Sequence, residues 1–161
     1  MDTITIANRP IGPGHPSFII AELSANHNHD LARAKRIVEA AADAGADAIK
    51  LQTYTADTLT FDSDSAEFRV DGTIWEGKTL YQLYQEASLP WAWHKPLMDH
   101  ARNLGLLAFS TPFDATAIEF LESLDVPAYK IASSELVDIP LIRRVAGLGK
   151  PMIISTGMGT L

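Results

Sequence analysis

The chain has 161 residues, a formal net charge of −7 and no cysteine. This length is enough to bury the core of one domain, and a content of 47% hydrophobic and 20% charged residues is ordinary for a globular protein. The absence of cysteine excludes a disulfide scaffold, a thiolate metal site and a cysteine nucleophile. The acidic balance disfavours nucleic acid or an anionic membrane surface as a partner, because both bind basic faces. A small anionic substrate, held by a few lysines in a cleft, remains compatible with it.

The first nine residues lack the basic and then apolar pattern of a signal peptide. No apolar run in the chain reaches the roughly 18 residues that span a bilayer. We therefore expect a cytoplasmic protein.

Short apolar segments alternate with helical patterns along the chain, which is typical of βαβ units and a parallel sheet. A short alternating segment at residues 3–7 is expected to pair locally with the chain near His15. Five parallel strands are predicted, at residues 18–24, 46–52, 106–111, 128–133 and 151–156.

Four helices are predicted between these strands from their start and stop signals. The first follows an N-cap at Asp30 and ends at Gly45, the residue type that most often terminates a helix. Pro90 is predicted as the first residue of the second helix. Asp114 caps the third helix, and Pro140 lies in the first turn of the fourth.

The segment 53–89 interrupts this alternation, because it is too long for one connection between a strand and a helix and is rich in Asp, Ser and Thr. Long loops in compact domains are usually functional or disordered. A complete (β/α)₈ barrel takes about 250 residues. We therefore predict a TIM-type barrel of which this chain holds about the first five βα units, preceded by a short β segment, and we expect the natural protein to continue beyond Leu161.

Each predicted strand is apolar along its length and polar at its C-terminal end, where active sites of parallel α/β proteins lie. Glu22 closes the first strand, Lys50 and Gln52 lie near the end of the second, and Lys130 and Ser133 lie on the fourth. Lys50 and Gln52 are two residues apart and share one face of their strand. A buried lysine must be paired or must meet an anion. Two such lysines with one glutamate predict a phosphate or carboxylate ligand beside an acid/base group.

A purely structural ion pair of Lys50 with Glu22 or Glu135 is the alternative interpretation. The second lysine at a strand end favours the binding site. Lys130 and Glu135 differ in parity, so a straight strand cannot direct both inward. Either the strand bends near Ser133, or Glu135 reaches the site from the following loop.

Residues 26–29 read NHNH, but no carboxylate or third histidine follows at ligand spacing. For His27 and His29 we therefore favour polar loop contacts over metal ligation. His94 is interpreted as a core or surface histidine rather than a catalytic one. Trp75 lies in the polar insert, where it either covers the site or fills a local core.

The strand-end motifs resemble those of the N-acetylneuraminic acid (sialic acid) synthase family. The motifs are AE at 21–22, NHN at 26–28, AIKLQT at 48–53, STPFD at 110–114, VPAYKIAS at 126–133 and ISTGM at 154–158. The resemblance runs from Ile11 to the end of the chain, with the motifs in the same order. Segments 21–28 and 75–81, together with 89–96, further resemble the pseudaminic acid branch of that family.

The resemblance implies an enzyme that condenses phosphoenolpyruvate with a 2,4-diacetamido-2,4,6-trideoxy hexose, giving pseudaminic acid and phosphate. It implies cleavage of the C–O bond of phosphoenolpyruvate, with Glu22 as the acid/base group near C2 and the attacking water. It further implies four contacts to phosphoenolpyruvate and three to the sugar. The first set is Lys50, Lys130, Ser133 and Ser155, and the second is Gln52, Glu135 and Trp75.

The resemblance also implies a divalent metal ion, manganese or magnesium, which polarises the sugar aldehyde. Its ligands are expected beyond Leu161, together with a C-terminal antifreeze-like (SAF) domain that covers the site across a homodimer. No metal ligand is expected in this chain, and the chain alone is expected to lack condensation activity. The expected partners are phosphoenolpyruvate and an amino sugar, without nucleic acid or a membrane.

Three alternatives stay open at this point. One is the sialic acid branch of the same family, which uses N-acetylmannosamine. Another is a Schiff-base aldolase, which would also carry a lysine at a strand end. The third is a non-catalytic barrel fragment that serves interaction or oligomerisation.

Overall fold

The computed structural model describes residues 3–160, which form two sheets. The first sheet is antiparallel and contains β1 (Ile4–Ile6) and β2 (Arg9–Ile11). The second is parallel and runs in chain order through β3 (Ile20–Glu22), β4 (Ala48–Thr53), β5 (Leu107–Pro112), β6 (Tyr129–Ile131) and β7 (Met152–Ile154). Each parallel strand overlaps its predicted segment. Because every crossover returns to the adjacent strand, the sheet curls as the first half of a (β/α) barrel does, which confirms the predicted fold class.

Among the described residues, six α-helices connect the strands or cover the outer face of the half-barrel. They are α1 (Leu31–Asp43), α2 (Ala56–Leu59), α3 (Leu80–Ala87), α4 (Trp91–Asn103), α5 (Ala115–Ser123) and α6 (Ile139–Ala146). The predicted caps at Asp30 and Asp114 are confirmed, since each carboxylate accepts two backbone N–H groups of the first helical turn. Pro90 directly precedes α4 instead of being its first residue.

The long insert between β4 and α4 contains ordered elements that were not predicted. It contains α2, a short 3₁₀ turn at Ala66–Phe68 and α3. A reciprocal capping box starts α3: the Thr79 side chain accepts the N–H of Gln82 at 3.2 Å, and the Gln82 side chain accepts the N–H of Thr79 at 3.1 Å. These two residues satisfy the free donors of the first turn and allow a helix in an otherwise polar segment.

The N-terminal hairpin closes the end of the half-barrel where the parallel strands begin. β1 pairs with β2, with Ile4 opposite Ile11, so the pairing predicted near His15 is wrong. The turn between the two strands is short and places Ala7 at a positive φ of 50°. An ion pair of 2.8 Å joins Arg9 to Asp47, the residue that precedes β4. The hairpin is thereby fixed at the end of the barrel opposite to the polar strand ends.

The hydrophobic core lies between the outer face of the parallel sheet and the helices. Ile49 and Leu51 of β4 are each 1% exposed, and they belong to the same buried cluster as Val38 of α1 and Leu97 and Met98 of α4. Alternate residues of the strands therefore pack against helices, and the residues between them face the barrel interior. Within residues 3–160, the helices are all too short or too polar to cross a membrane.

Replacing Asp30 by alanine should lower the free energy of unfolding by about 1 kcal/mol, because two N–H groups of α1 lose their acceptor. The matched control is Asp43→Ala at the other end of the same helix, where a carboxylate opposes the helix dipole and its removal should cost nothing. Urea unfolding of the two variants checks this. Equal midpoints for both would show that the cap contributes nothing.

Candidate active site

The charged centre of the half-barrel is an ion pair between neighbouring strands. Glu22, the last residue of β3, lies opposite Lys50 of β4 in the parallel register. The Lys50 Nζ and the Glu22 Oε1 are 3.2 Å apart. Lys50 is 8% exposed, whereas the Glu22 side chain is 55% exposed. The ammonium is therefore buried and the carboxylate remains accessible to a ligand.

Lys130 brings a second ammonium to the same region from β6. Its Nζ donates to the backbone carbonyl of Ile131 at 2.5 Å. The pKa of Lys130 lies below its usual value, first because of burial and second because of the positive charge of Lys50. The negative charges of Glu22 and Glu135 oppose this lowering. Two lysines and two glutamates thus share one electrostatic environment at the C-terminal ends of the strands.

The two serines implied as phosphoenolpyruvate contacts lie at this same end. The backbone N–H of Ser155 donates to the carbonyl of Ile131 at 3.1 Å, so it shares its acceptor with Lys130. Ser133 follows β6 with helical backbone angles, φ −68° and ψ −27°. A Cβ placed on Gly157 would lie 4.0 Å from the Ser133 Cβ, so the segments after β6 and β7 run side by side.

The parity conflict between Lys130 and Glu135 is resolved by a bend. β6 ends at Ile131, and the chain then enters a 3₁₀ turn at Ser134–Val137 that contains Glu135. The Ser134 hydroxyl donates to the Glu135 Oε2 at 2.8 Å. Glu135 therefore lies on the connecting segment, so the alternation of β6 does not fix the direction of its side chain.

Gln52 lies on the same face of β4 as Lys50, and the register places it opposite Thr111 of β5. Thr111 is 2% exposed. Thr111 was not among the predicted site residues, although its position at a polar strand end is a signal for it. The register shows that its side chain points the same way as those of Gln52 and Lys50.

Trp75 lies beside the connection between β3 and α1. It is half-buried and forms, with four other residues, a pocket of about 320 Å³ whose lining is Ala25, Asn28, His29, Trp75 and Glu86. The Nζ of Lys78 lies 5.1 Å from the centre of the Trp75 ring and also pairs with Glu86. The insert is thus brought to the end of the barrel at which Glu22 lies, in line with a covering role for Trp75.

The NHNH run makes loop contacts. His27 is fully buried, and its Nδ1 accepts the backbone N–H of His29 at 3.1 Å. Burial lowers the pKa of His27, and the charge of His29 adds to this. In the part of the chain that the structure describes, no group of three or more His, Asp or Glu side chains could hold a metal ion.

One buried polar network was not predicted. The Thr53 Oγ1 lies 2.8 Å from the His94 Nε2 and 2.7 Å from the Ser110 Oγ. All three residues are 0% exposed. The interpretation of His94 as a core residue is confirmed, and burial lowers its pKa to about 4, so the ring is neutral at pH 7. The network joins α4 to the ends of β4 and β5 on the outer face of the sheet.

A parallel half-barrel that carries its charged and hydroxyl side chains at the C-terminal strand ends belongs to the class of TIM-barrel-type proteins. The particular family follows from comparison with known proteins. The chain belongs to the NeuB family, whose model matches residues 37–161.

Individual relatives support this assignment. The pseudaminic acid synthase of Helicobacter pylori is 50% identical over 145 residues, which are 90% of this chain and 43% of that protein. The N,N'-diacetyllegionaminic acid synthase of Legionella pneumophila is 41% identical over 93% of this chain and 42% of its own length. The crystal structure of an N-acetylneuraminic acid synthetase from Leptospira borgpetersenii, in complex with citrate, matches 99% of this chain and 51% of that chain with a TM-score of 0.84 and 31% identity. The chain spans less than half the length of the two curated relatives.

The lowered pKa of His94 predicts a pH dependence of stability. The unfolded chain binds a proton on this ring near pH 6.5, whereas the folded protein binds it only near pH 4. The contribution of neutral His94 to the free energy of unfolding should therefore be fully present above pH 6.5. It should be lost as the pH drops from 6.5 to 4, which lowers the free energy of unfolding by about 3 kcal/mol. Urea unfolding of the wild type and of His94→Phe between pH 7 and pH 4.5 checks this. The variant should lose less stability over this range, and an equal loss in both would contradict the assignment.

Proposed function

We propose that this chain supplies the phosphoenolpyruvate-binding part of a sugar-acid synthase of the pseudaminic acid type. The observation that carries the proposal is the 3.2 Å pair of the buried Lys50 ammonium with Glu22, with Lys130 on the same inner face of the sheet two strands away. A buried ammonium beside a second one favours a dianionic ligand such as a phosphate ester. The 50% identity to a pseudaminic acid synthase supports this choice within the family.

In the proposed reaction, C3 of phosphoenolpyruvate forms a bond to the aldehyde carbon of the open-chain amino sugar. Water adds at C2, and the C2–O bond then breaks so that phosphate leaves and a 2-keto sugar acid remains. Lys50 and Lys130 hold the anionic groups of phosphoenolpyruvate, with Ser133 and Ser155 as hydrogen-bond partners. Glu22, which is exposed to the interior and sits 3.2 Å from the Lys50 ammonium, exchanges the proton of the attacking water.

Gln52, Glu135 and Trp75 are proposed to contact the amino sugar. Gln52 and Glu135 lie on strand ends or connections around the two lysines, and Trp75 lies in the insert that approaches the β3–α1 connection. We propose 2,4-diacetamido-2,4,6-trideoxy hexose as the sugar. The sialic acid alternative uses N-acetylmannosamine, and comparison of the two sugars at equal concentration distinguishes them.

Several properties of the complete protein remain part of the proposal. They are further barrel strands and a C-terminal antifreeze-like domain, a homodimer, a cytoplasmic location and a manganese or magnesium ion that supplies Lewis-acid chemistry at the sugar aldehyde. Residues 3–160 contain no group of three ligands that fits such an ion. We therefore assign no step of the reaction to it here.

The test uses the complete protein that carries this chain, phosphoenolpyruvate labelled with ¹⁸O at the bridging oxygen, and either sugar in the presence of manganese. C–O cleavage transfers the label to the released phosphate, which mass spectrometry detects. Release of unlabelled phosphate would show P–O cleavage instead and would overturn the proposal. No phosphate release with either sugar would favour the non-catalytic alternative.

A Schiff-base aldolase is a second candidate, because the lowered pKa of Lys130 increases the fraction of its amine that is unprotonated and able to attack a carbonyl. In that mechanism the amine attacks the pyruvate carbonyl, water leaves, and borohydride reduces the imine to a stable adduct. A pyruvate adduct on Lys50 or Lys130 would support the aldolase. The synthase proposal expects none.

Glu22→Gln in the complete protein should preserve phosphoenolpyruvate binding and lower turnover by about 10²–10⁴-fold, because the amide keeps the shape but cannot exchange a proton. Glu119→Gln, which removes an exposed carboxylate paired with Arg144, is the matched control and should retain turnover. Melting temperature and turnover are measured together. Near-normal turnover of Glu22→Gln would contradict the catalytic role, and a large loss of stability with normal specific activity would indicate a structural ion pair.

Lys130→Ala should weaken phosphoenolpyruvate binding more than sugar binding. Loss of a charge-assisted hydrogen bond costs about 1.5–3 kcal/mol, which raises the KM for phosphoenolpyruvate roughly 10- to 150-fold. Lys95→Ala removes the same charge from the exposed face of α4 and should change neither constant. Separate KM values for the two substrates show whether Lys130 binds phosphoenolpyruvate. A raised constant for the sugar alone would contradict the assignment.

A further inference from the structure

The Thr53–His94–Ser110 network lies directly behind the candidate site. On β4, Gln52 faces the interior and Thr53 faces the helices. On β5, Thr111 faces the interior and Ser110 faces the helices. Each of these two interior residues is therefore the immediate chain neighbour of a buried hydroxyl that bonds on the opposite face. A change in the position of either hydroxyl moves the same short stretch of backbone that carries Gln52 or Thr111.

Thr53 is the centre of the network, because its single hydroxyl joins both other members. A hydroxyl donates one hydrogen bond and accepts others. Two arrangements satisfy both contacts: Thr53 donates to the His94 Nε2 while Ser110 donates to Thr53, or the His94 Nε2–H donates to Thr53 while Thr53 donates to Ser110. Since all three residues are fully buried, water does not compete for these bonds. Hydrogen bonds in such surroundings are strong and depend on direction.

Packing alone does not explain these polar groups. Leu97, Met98 and Ala101 of α4 already fill the space between the helix and the sheet with apolar contacts, and each is at most 1% exposed. The edge of the His94 ring also packs on Phe120, with ring centres 5.3 Å apart. An apolar aromatic side chain at position 94 could make that contact equally well. The histidine adds a directional hydrogen bond. Such a bond limits both sliding of the strand ends along their axes and rotation about those axes, which apolar contacts do not.

The next strand repeats the arrangement with other residues. Tyr129 precedes Lys130 on β6, is fully buried and donates its hydroxyl proton to the Glu122 carboxylate of α5 at 2.7 Å. Lys130 faces the site, and its neighbour is thus tied to the covering helix. β4, β5 and β6 therefore share one feature, a polar bond on the outer face next to an interior residue of the candidate site.

We propose that His94 is a positioning residue which, through Thr53 and Ser110, holds the ends of β4 and β5 so that Gln52 and Thr111 point at the substrates. The role rests on the proposed function, because Gln52 is a substrate contact only there. Displacements of about 1 Å in a catalytic constellation can reduce rates roughly a hundredfold. The network is suited to prevent such displacements at two adjacent strand ends.

The experiment compares four variants of the complete protein: His94→Phe, His94→Gln, Thr53→Val and Ser110→Ala. Val is close in shape to Thr and lacks only the hydroxyl. Gln offers an amide that can still bond to Thr53. His100→Gln, on the same helix but paired with Glu39 near the surface, is the matched control. Melting temperature, kcat and the separate KM values of phosphoenolpyruvate and sugar are measured at 25 °C, well below each melting temperature.

We expect His94→Phe and Thr53→Val to lower kcat at least tenfold and to raise the KM for the sugar, because Gln52 is displaced. The KM for phosphoenolpyruvate should change less than twofold, since Lys50 and Lys130 keep their own partners. His94→Gln should recover a measurable part of the loss, and His100→Gln should match the wild type. The double variant of Thr53 and His94 should be no worse than the more damaged single variant, because both act through one network.

Lower melting temperatures with kinetic constants within twofold of the wild type would overturn the positioning role while leaving the proposed function intact. If His94→Phe does not fold, Thr53→Val and Ser110→Ala decide by the same criteria. A wild-type protein without synthase activity on either sugar would overturn the proposed function itself, and the positioning role with it. The two failures are thus distinguished by the wild-type measurement.

Discussion

The arrangement of this half-barrel depends on the burial of the Lys50 ammonium. A charge at 8% exposure is unfavourable unless an opposite charge lies close by, and the parallel register of β3 and β4 places Glu22 opposite it. The resulting pair at 3.2 Å leaves the carboxylate more exposed than the ammonium. Lys130 then experiences the Lys50 charge, and Glu135 partly offsets it. These four positions bring two ammonium and two carboxylate groups to one end of the half-barrel.

The outer face of the sheet supports this interior. Apolar residues of β4 and α4 provide most of the burial, and a few polar bonds fix direction. Asp30 and Asp114 start α1 and α5 by accepting the free N–H groups of their first turns. The N-terminal ends of these two helices are therefore fixed. Neighbouring residues of one strand face opposite sides: one packs against a helix and the next faces the candidate site. The stability of the fold and the geometry of the site are therefore coupled.

The insert between β4 and α4 adds a second kind of surface beside the candidate site. Its capping box at Thr79 makes α3 possible, and the preceding segment carries Trp75 to the β3–α1 connection. This segment supplies an aromatic ring with an ammonium 5.1 Å from its centre.

Much of the fold was predictable from the sequence because its signals are local. Strands, caps and polar strand ends follow from periodicity and from single residues such as Asp30 and Asp114, while α3 was missed although Thr79 and Gln82 carried a local signal. The tertiary structure alone decided which distant side chains meet. His94 and Ser110 lie 41 and 57 residues from Thr53, and only the strand register and the seating of α4 bring them together. Only the tertiary structure likewise shows the 3₁₀ turn after β6 that takes Glu135 out of the strand alternation, which by itself places Glu135 and Lys130 on opposite faces.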